Sequence, residues 1–167
     1  MKRFLIYALI LALAFCLGMF IREYVAGVSS VAGDSMRDTL ITGDKVFITR
    51  LEYALGTPDR GDIAQIELPD RGGLYLKRVV GLPGETVEII SGTVHVNGQP
   101  LSEPYAAPSD DDFSVELGDD EYFVLGDNRP VSYDSREEDF GVVSAGCFRG
   151  RVRAILWPPE RINFDIE

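Results

Sequence analysis

Residues 4–21 form a run of eighteen without a single charge, preceded by Lys2 and Arg3. In helical form the run is about 27 Å long at 1.5 Å per residue, close to the roughly 30 Å hydrocarbon core of a bilayer. It can span. The two cations in front, against a strongly acidic remainder, orient such a helix with its N-terminus in the cytoplasm and everything after it outside. A cleaved export signal begins the same way, but this run exceeds the roughly 7 to 15 apolar residues of such a signal. Moreover, Arg22-Glu23-Tyr24 stands where a small-x-small cleavage site would come. The expectation is therefore a retained single-pass anchor in the cell membrane over residues 1–22. A juxtamembrane linker would follow over 23–32, then one extracytoplasmic domain over 33–167.

The chain carries a formal charge of -11, and an acidic domain repels phosphate backbones, which argues against a nucleic-acid partner. Membrane lipid remains the expected surroundings of the anchor. Cys16 and Cys147 lie far apart with no CxxC spacing, so the reading is two buried small hydrophobes and not a disulfide or zinc framework. The acidic runs Asp110-Asp111-Asp112 and Asp119-Asp120-Glu121 lack the glycine and terminal glutamate register of a calcium loop. They read as solvated loop charge. No metal or cofactor is expected.

Past the anchor no long 3.6-residue period exists, only short alternating runs bounded by turn chemistry. Segments 45–50, 62–68, 74–80, 86–90, 93–96, 113–117, 122–125 and 152–157 read as strands. Gly72-Gly73, Gly81-Leu82-Pro83-Gly84 and Asn97-Gly98 mark turns, the last of the I′ hairpin type. The fold class expected is all-β, a closed or folded-over barrel preceded by one transmembrane helix. Residues 102–112 and 126–138 are the longest irregular pieces, and such loops in a compact domain are usually functional.

Three stretches carry chemistry. In Gly33-Asp34-Ser35-Met36-Arg37-Asp38-Thr39-Leu40 a serine sits in a turn signal with a bulky apolar neighbour, which suits a nucleophile and equally an ordinary turn. It lies fourteen residues beyond Ile21, a reach of at most about 50 Å, so it stays near the outer membrane face. A serine nucleophile needs a base. His95, the one histidine, opposes Val94 and Val96 on its strand and so falls on the solvent side of a hairpin. Lys77 shares a strand face with Tyr75 and Val79, apolar company that desolvates an ammonium and lowers its pKa. A snorkelling surface lysine would show the same pattern. In Gly126-Asp127-Asn128-Arg129-Pro130-Val131-Ser132-Tyr133-Asp134-Ser135-Arg136 the carboxylates and Arg136 can pair into a support, with a serine to orient an amine.

Together the three stretches resemble the type I signal peptidases, membrane-anchored serine proteases with a Ser-Lys dyad. The resemblance extends to Lys77-Arg78-Val79-Val80-Gly81-Leu82-Pro83-Gly84, Val96-Asn97-Gly98, Glu103-Pro104-Tyr105 and Trp157-Pro158, and the Gly-Asp-Ser-Met form is similar to the Gram-positive branch. It implies a signal-peptidase-like folded-over β-barrel. It also implies Ser35 as nucleophile, Lys77 as general base and Ser132 as the hydroxyl that positions Lys77. Asp127, Asp134 and Arg136 match the structural support, and Met36 the floor of the substrate pocket. The partners implied are secretory preproteins cut after small residues at positions -1 and -3 of the signal peptide. Asp38 departs from a usual proline, Glu85 from a common aspartate, and Gly33 from a hydroxyl residue that helps hold the oxyanion in some members. Two other classes compete: a self-cleaving Ser-Lys repressor, which would carry a DNA-binding domain and no anchor, and an inactive tethered β-domain that binds exported partners.

Overall fold

A computed structural model describes residues 2–69 and 72–166; positions 1 and 167, the outer limits of the expected segments, lie outside them. Helix α1 spans Lys2–Phe20 and is followed by a π-helical turn, Ile21–Val25. Its described apolar side chains stand exposed, Leu13 and Phe15 both at 70 %. Cys16 is exposed among them, contrary to the expectation of a buried residue. Among the described residues no helix is long and apolar enough to cross a membrane. The fold thus establishes an exposed apolar helix at this end and not a crossing.

The remainder is mostly β. Strands β1 (Ala26–Ser30), β2 (Lys45–Thr49), β3 (Ile63–Glu67) and β4 (Leu74–Gly81) are followed by β5 (Thr86–Ile90), β6 (Thr93–Val96) and β7 (Gln99–Pro100). Then come β8 (Phe113–Glu116), β9 (Glu121–Leu125), β10 (Val143–Ser144) and β11 (Phe148–Trp157). Two sheets result, one of seven strands in the order β1-β2-β11-β3-β4-β9-β10 and one of four in the order β7-β6-β5-β8. All the pairings are antiparallel. The long β11 joins β2 to β3, with register shifts that bend it across both partners.

All eight expected strands form, but three elements of sheet were not expected, and neither was the short helix α2, Leu51–Leu55. Strand β1 lies inside the segment read as a linker and pairs fully with β2. Ala-Gly-Val-Ser-Ser has little intrinsic strand preference, so the pairing partner decides its conformation. The Asn97-Gly98 turn has φ of 50° and 75° at its two residues, as a type I′ hairpin requires.

Three apolar clusters form the interior. One gathers Ala64, Ile66, Val79, Val124 and Phe140, a second Met36, Leu40, Val46, Ile48 and Ile63, and a third Val80, Val87, Leu117, Phe123 and Leu125. Strand β4 contributes to all of them, through Val79, through Leu76 packed against the second, and through Val80. It is therefore buried on both faces along its second half. Where β4 leaves the larger sheet, Gly81 passes so close to Val87, Leu117 and Phe123 that a Cβ would lie 2.6, 2.7 and 2.9 Å from their atoms. Gly81→Ala is expected to cost about 1–3 kcal/mol through overpacking, read from the urea unfolding midpoint. An unchanged midpoint would show that the two sheets are not locked at this point.

Candidate active site

Lys77 sits in the middle of β4 and is only 2 % exposed. Tyr75, two residues before it, packs edge-on against Phe140 with ring centroids 5.6 Å apart. Val79, two residues after it, lies in the same cluster. The amine donates a hydrogen bond to Ser132 Oγ at 3.0 Å. Burial disfavours the ammonium and lowers the pKa from 10.5 to about 8. Asp134 pulls it back up, Arg136 lowers it and Asp127 raises it, in descending order of effect. Desolvation wins by the equivalent of about 3 kcal/mol. Because the folded state gives up this proton near pH 8 and the unfolded chain near 10.5, the group's cost to stability is full below pH 8. It is relieved as the pH rises through that window.

Ser35 is half-buried in the loop between β1 and β2. The loop is anchored by Met36, 2 % exposed, and Leu40, fully buried, both in the second cluster. Gly33 takes φ +88°, a left-handed conformation natural to glycine, so a hydroxyl residue there would be strained. Asp38 takes φ +79°, a value closed to proline, whose ring fixes φ near about -65°. The departure from proline is thus a real difference in backbone. It does not free the loop: the next residue, Thr39, donates from Oγ1 to Asp127, and its carbonyl accepts from Arg161 Nη2 at 3.1 Å.

Ser35 and Lys77 line one cavity of about 120 Å³, together with Ala32, Gly33, Met36 and Tyr75 among others. A larger cavity of about 490 Å³ opens beside Ser132, between Asp110, Asp111, Arg129 and Arg136. It includes neither Ser35 nor Lys77, and its arginines are paired with carboxylates. The smaller cavity is therefore the one that brings together the serine and the lysine expected from the sequence. Among the described residues no group of three His, Cys, Asp or Glu side chains could hold a metal ion. His95 lies on β6 of the smaller sheet, with Nδ1 3.1 Å from the Thr93 carbonyl.

The third stretch binds the other two. Gly126 passes between Ser132 and the Ser35 loop so tightly that a Cβ would lie 2.2 Å from Ser132 Oγ and 2.4 Å from the Ser35 carbonyl oxygen. Asp134 accepts from the Gly126 N–H at 3.0 Å and from Arg136 Nε at 2.9 Å. Arg136 Nη2 reaches the Arg129 carbonyl at 2.7 Å, closing the loop on itself. Asp127 does not join this pair as the sequence suggested. Its carboxylate takes Arg78 Nε at 2.9 Å and Nη2 at 2.8 Å, a bidentate pair that is essentially fully buried.

Arg78 was therefore the functional neighbour that sequence reasoning missed, together with Glu103, which pairs with Arg129 at 2.6 Å, and Tyr105, whose ring lies 3.8 Å from the Arg78 guanidinium carbon. Glu103-Pro104-Tyr105 was visible as a motif. Its partners, 26 residues away for Arg129, were not. Removing the Asp127 carboxylate strands a buried guanidinium, so Asp127→Ala is expected to cost about 3–5 kcal/mol. The double substitution Arg78→Met, Asp127→Ala should recover part of that loss. Urea unfolding checks both, and a loss below about 1 kcal/mol would contradict the pairing.

Comparison with known proteins shows the family. The family described as signal peptidase, peptidase S26, matches residues 3–157. A probable signal peptidase I-2 of Synechocystis is 37 % identical, covering 90 % of this chain and 72 % of that protein. Signal peptidase I S of Bacillus subtilis is 34 % identical, over 94 % of this chain and 91 % of that one. The crystal structure of a signal peptidase I from Enterococcus faecalis V583 superposes with a TM-score of 0.51 at 37 % identity, covering 56 % of this chain and 95 % of that one. With a matched model along nearly its whole length and relatives this similar, the chain belongs to the signal peptidase family, peptidase S26, and is a serine peptidase.

Proposed function

We propose that this peptidase is a membrane-anchored endopeptidase that removes signal peptides from secretory preproteins, with Ser35 as nucleophile and Lys77 as general base. The observation that carries the reading is a dry lysine, hydrogen-bonded to Ser132, lining the same small cavity as Ser35. Ser35 Oγ bonds to the carbonyl carbon of the scissile peptide as its proton passes to Lys77 Nζ. The resulting oxyanion is held by the Ser35 N–H. Collapse breaks the C–N bond, and Lys77 returns its proton to the leaving amine. Water then attacks the acyl ester with Lys77 again taking a proton, which finally restores the Ser35 hydroxyl as the signal peptide leaves with a carboxylate. Ser132 keeps the amine in register. The cavity volume, about 120 Å³, suits the small side chains that precede signal cleavage sites.

The anchor reading rests on the eighteen-residue charge-free run 4–21 and on the exposed apolar side chains of α1. Lys2 and Arg3 keep the N-terminus in the cytoplasm, which leaves the catalytic domain outside, where preproteins emerge.

With detergent-solubilised protein and a precursor ending its signal in Ala-x-Ala, Ser35→Ala and Lys77→Ala are each expected to lower kcat by about a thousandfold or more while the thermal midpoint moves little. Lys77→Arg should be equally inactive, since a guanidinium stays charged. Substantial cleavage by Ser35→Ala or Lys77→Ala would overturn the assignment. The base must be neutral, so kcat/KM is expected to fall about tenfold per pH unit below its pKa, about 8, and to level off above it. A flat profile between pH 6 and 9 would contradict Lys77 as the base.

A further inference from the structure

Three consecutive carbonyls of the nucleophile loop have partners. The Gly33 carbonyl accepts from Thr42 Oγ1 at 3.0 Å. The Asp34 carbonyl accepts from the Arg37 N–H at 3.1 Å and from Asn128 Nδ2 at 3.0 Å. The Ser35 carbonyl accepts from the Asn128 N–H, also at 3.0 Å. One residue from the third stretch therefore holds both peptide units that flank Ser35. Its own carbonyl accepts from the Val131 N–H at 3.2 Å, so Asn128 is fixed by the short 3-10 turn that follows it. The Asp34 oxygen can only accept, which requires the amide of Asn128 to present its NH₂.

The second of these contacts bears directly on oxyanion stabilisation. The Asp34 carbonyl and the Ser35 N–H belong to one planar trans peptide and point in opposite directions. Two donors on the carbonyl use both of its lone pairs, polarise the unit and strengthen the N–H at the other end as a donor. They also fix the plane in which that N–H lies. We propose that Asn128 is a positioning residue for the oxyanion hole, acting through the Asp34–Ser35 peptide to aim and strengthen the Ser35 N–H. With glycine at position 33 no side-chain hydroxyl is available from that residue, so the backbone donor carries more of the developing charge here. This inference rests on the Ser35 mechanism above.

The test compares wild type, Asn128→Ala and Asn128→Asp, the last an isosteric change that replaces the donor with an acceptor. Ser35→Ala serves as control. Each is assayed with an Ala-x-Ala precursor. Binding is then measured for two probes of the same sequence: a peptide aldehyde, whose adduct with a serine carries an oxyanion, and a peptide with a reduced CH₂–NH bond at the cleavage site, which cannot form one. The expected result is a fall in kcat of about 10- to 100-fold in both variants, with KM within about twofold. Aldehyde affinity should fall in parallel, reduced-bond affinity should stay within about twofold, and the thermal midpoint should be nearly unchanged. Wild-type kcat in Asn128→Ala would overturn the inference while leaving the dyad standing. So would an equal loss of affinity for both probes, which would mark a merely structural role. Full activity in Ser35→Ala would remove the mechanism and this inference with it.

Discussion

Taking one ammonium out of water is the cost around which this site is built. Lys77 could relieve it by reaching solvent, as lysines ordinarily do, yet β4 is covered on both faces and leaves the side chain 2 % exposed. What remains is to hold the proton less tightly. Two buried carboxylates nearby, Asp134 and Asp127, favour keeping it, and each is paired with an arginine: Asp134 with Arg136 and Asp127 with Arg78. Arg136 acts on Lys77 in the direction opposite to Asp134. The polar scaffold is thus arranged so that its negative charge is largely spent on its own cations. A lone carboxylate in either place would hold the lysine protonated.

The same scaffold sets distances. Gly126 lies against both the Ser35 carbonyl and the Ser132 hydroxyl, and nothing larger than hydrogen fits as its side chain. Because Ser132 also accepts from Lys77, a change in backbone at Gly126 would be felt at Ser35 and Lys77 together. The Ser35 loop has no regular secondary structure to hold it. It depends on Met36 and Leu40 in the core beneath, and on contacts from Asn128 and Asp127 beside.

Much of this was legible in the sequence. Alternating runs located eight strands, since period-two patterning reflects burial directly. The burial of Lys77 was legible in its apolar neighbours on the same strand face, while Ser35 and Ser132 stood out by their motifs. Strand β1 was hidden because, Val28 apart, Ala26 to Ser30 lack strand-forming side chains, and pairing with β2 makes them a strand. The partner of Arg78 was hidden for a related reason. On β4 Arg78 alternates away from Lys77, and the carboxylate buried against that face comes 49 residues later. Long-range pairing leaves no periodic trace. Asp38 shows the converse limit: a departure from proline was visible, while the left-handed backbone behind it needed coordinates.

The account stands or falls on the protonation of one amine. Selective isotopic labelling of lysine and NMR titration of the Lys77 Nζ in the intact protein measures it without reference to turnover, with Lys77→Arg used to assign the signal. The account predicts a midpoint near 8, well below the 10.5 of an ordinary lysine. A Lys77 midpoint near 10.5 would leave fewer than about one amine in a thousand neutral at pH 7, against about one in ten at a midpoint of 8, and would contradict Lys77 as the base.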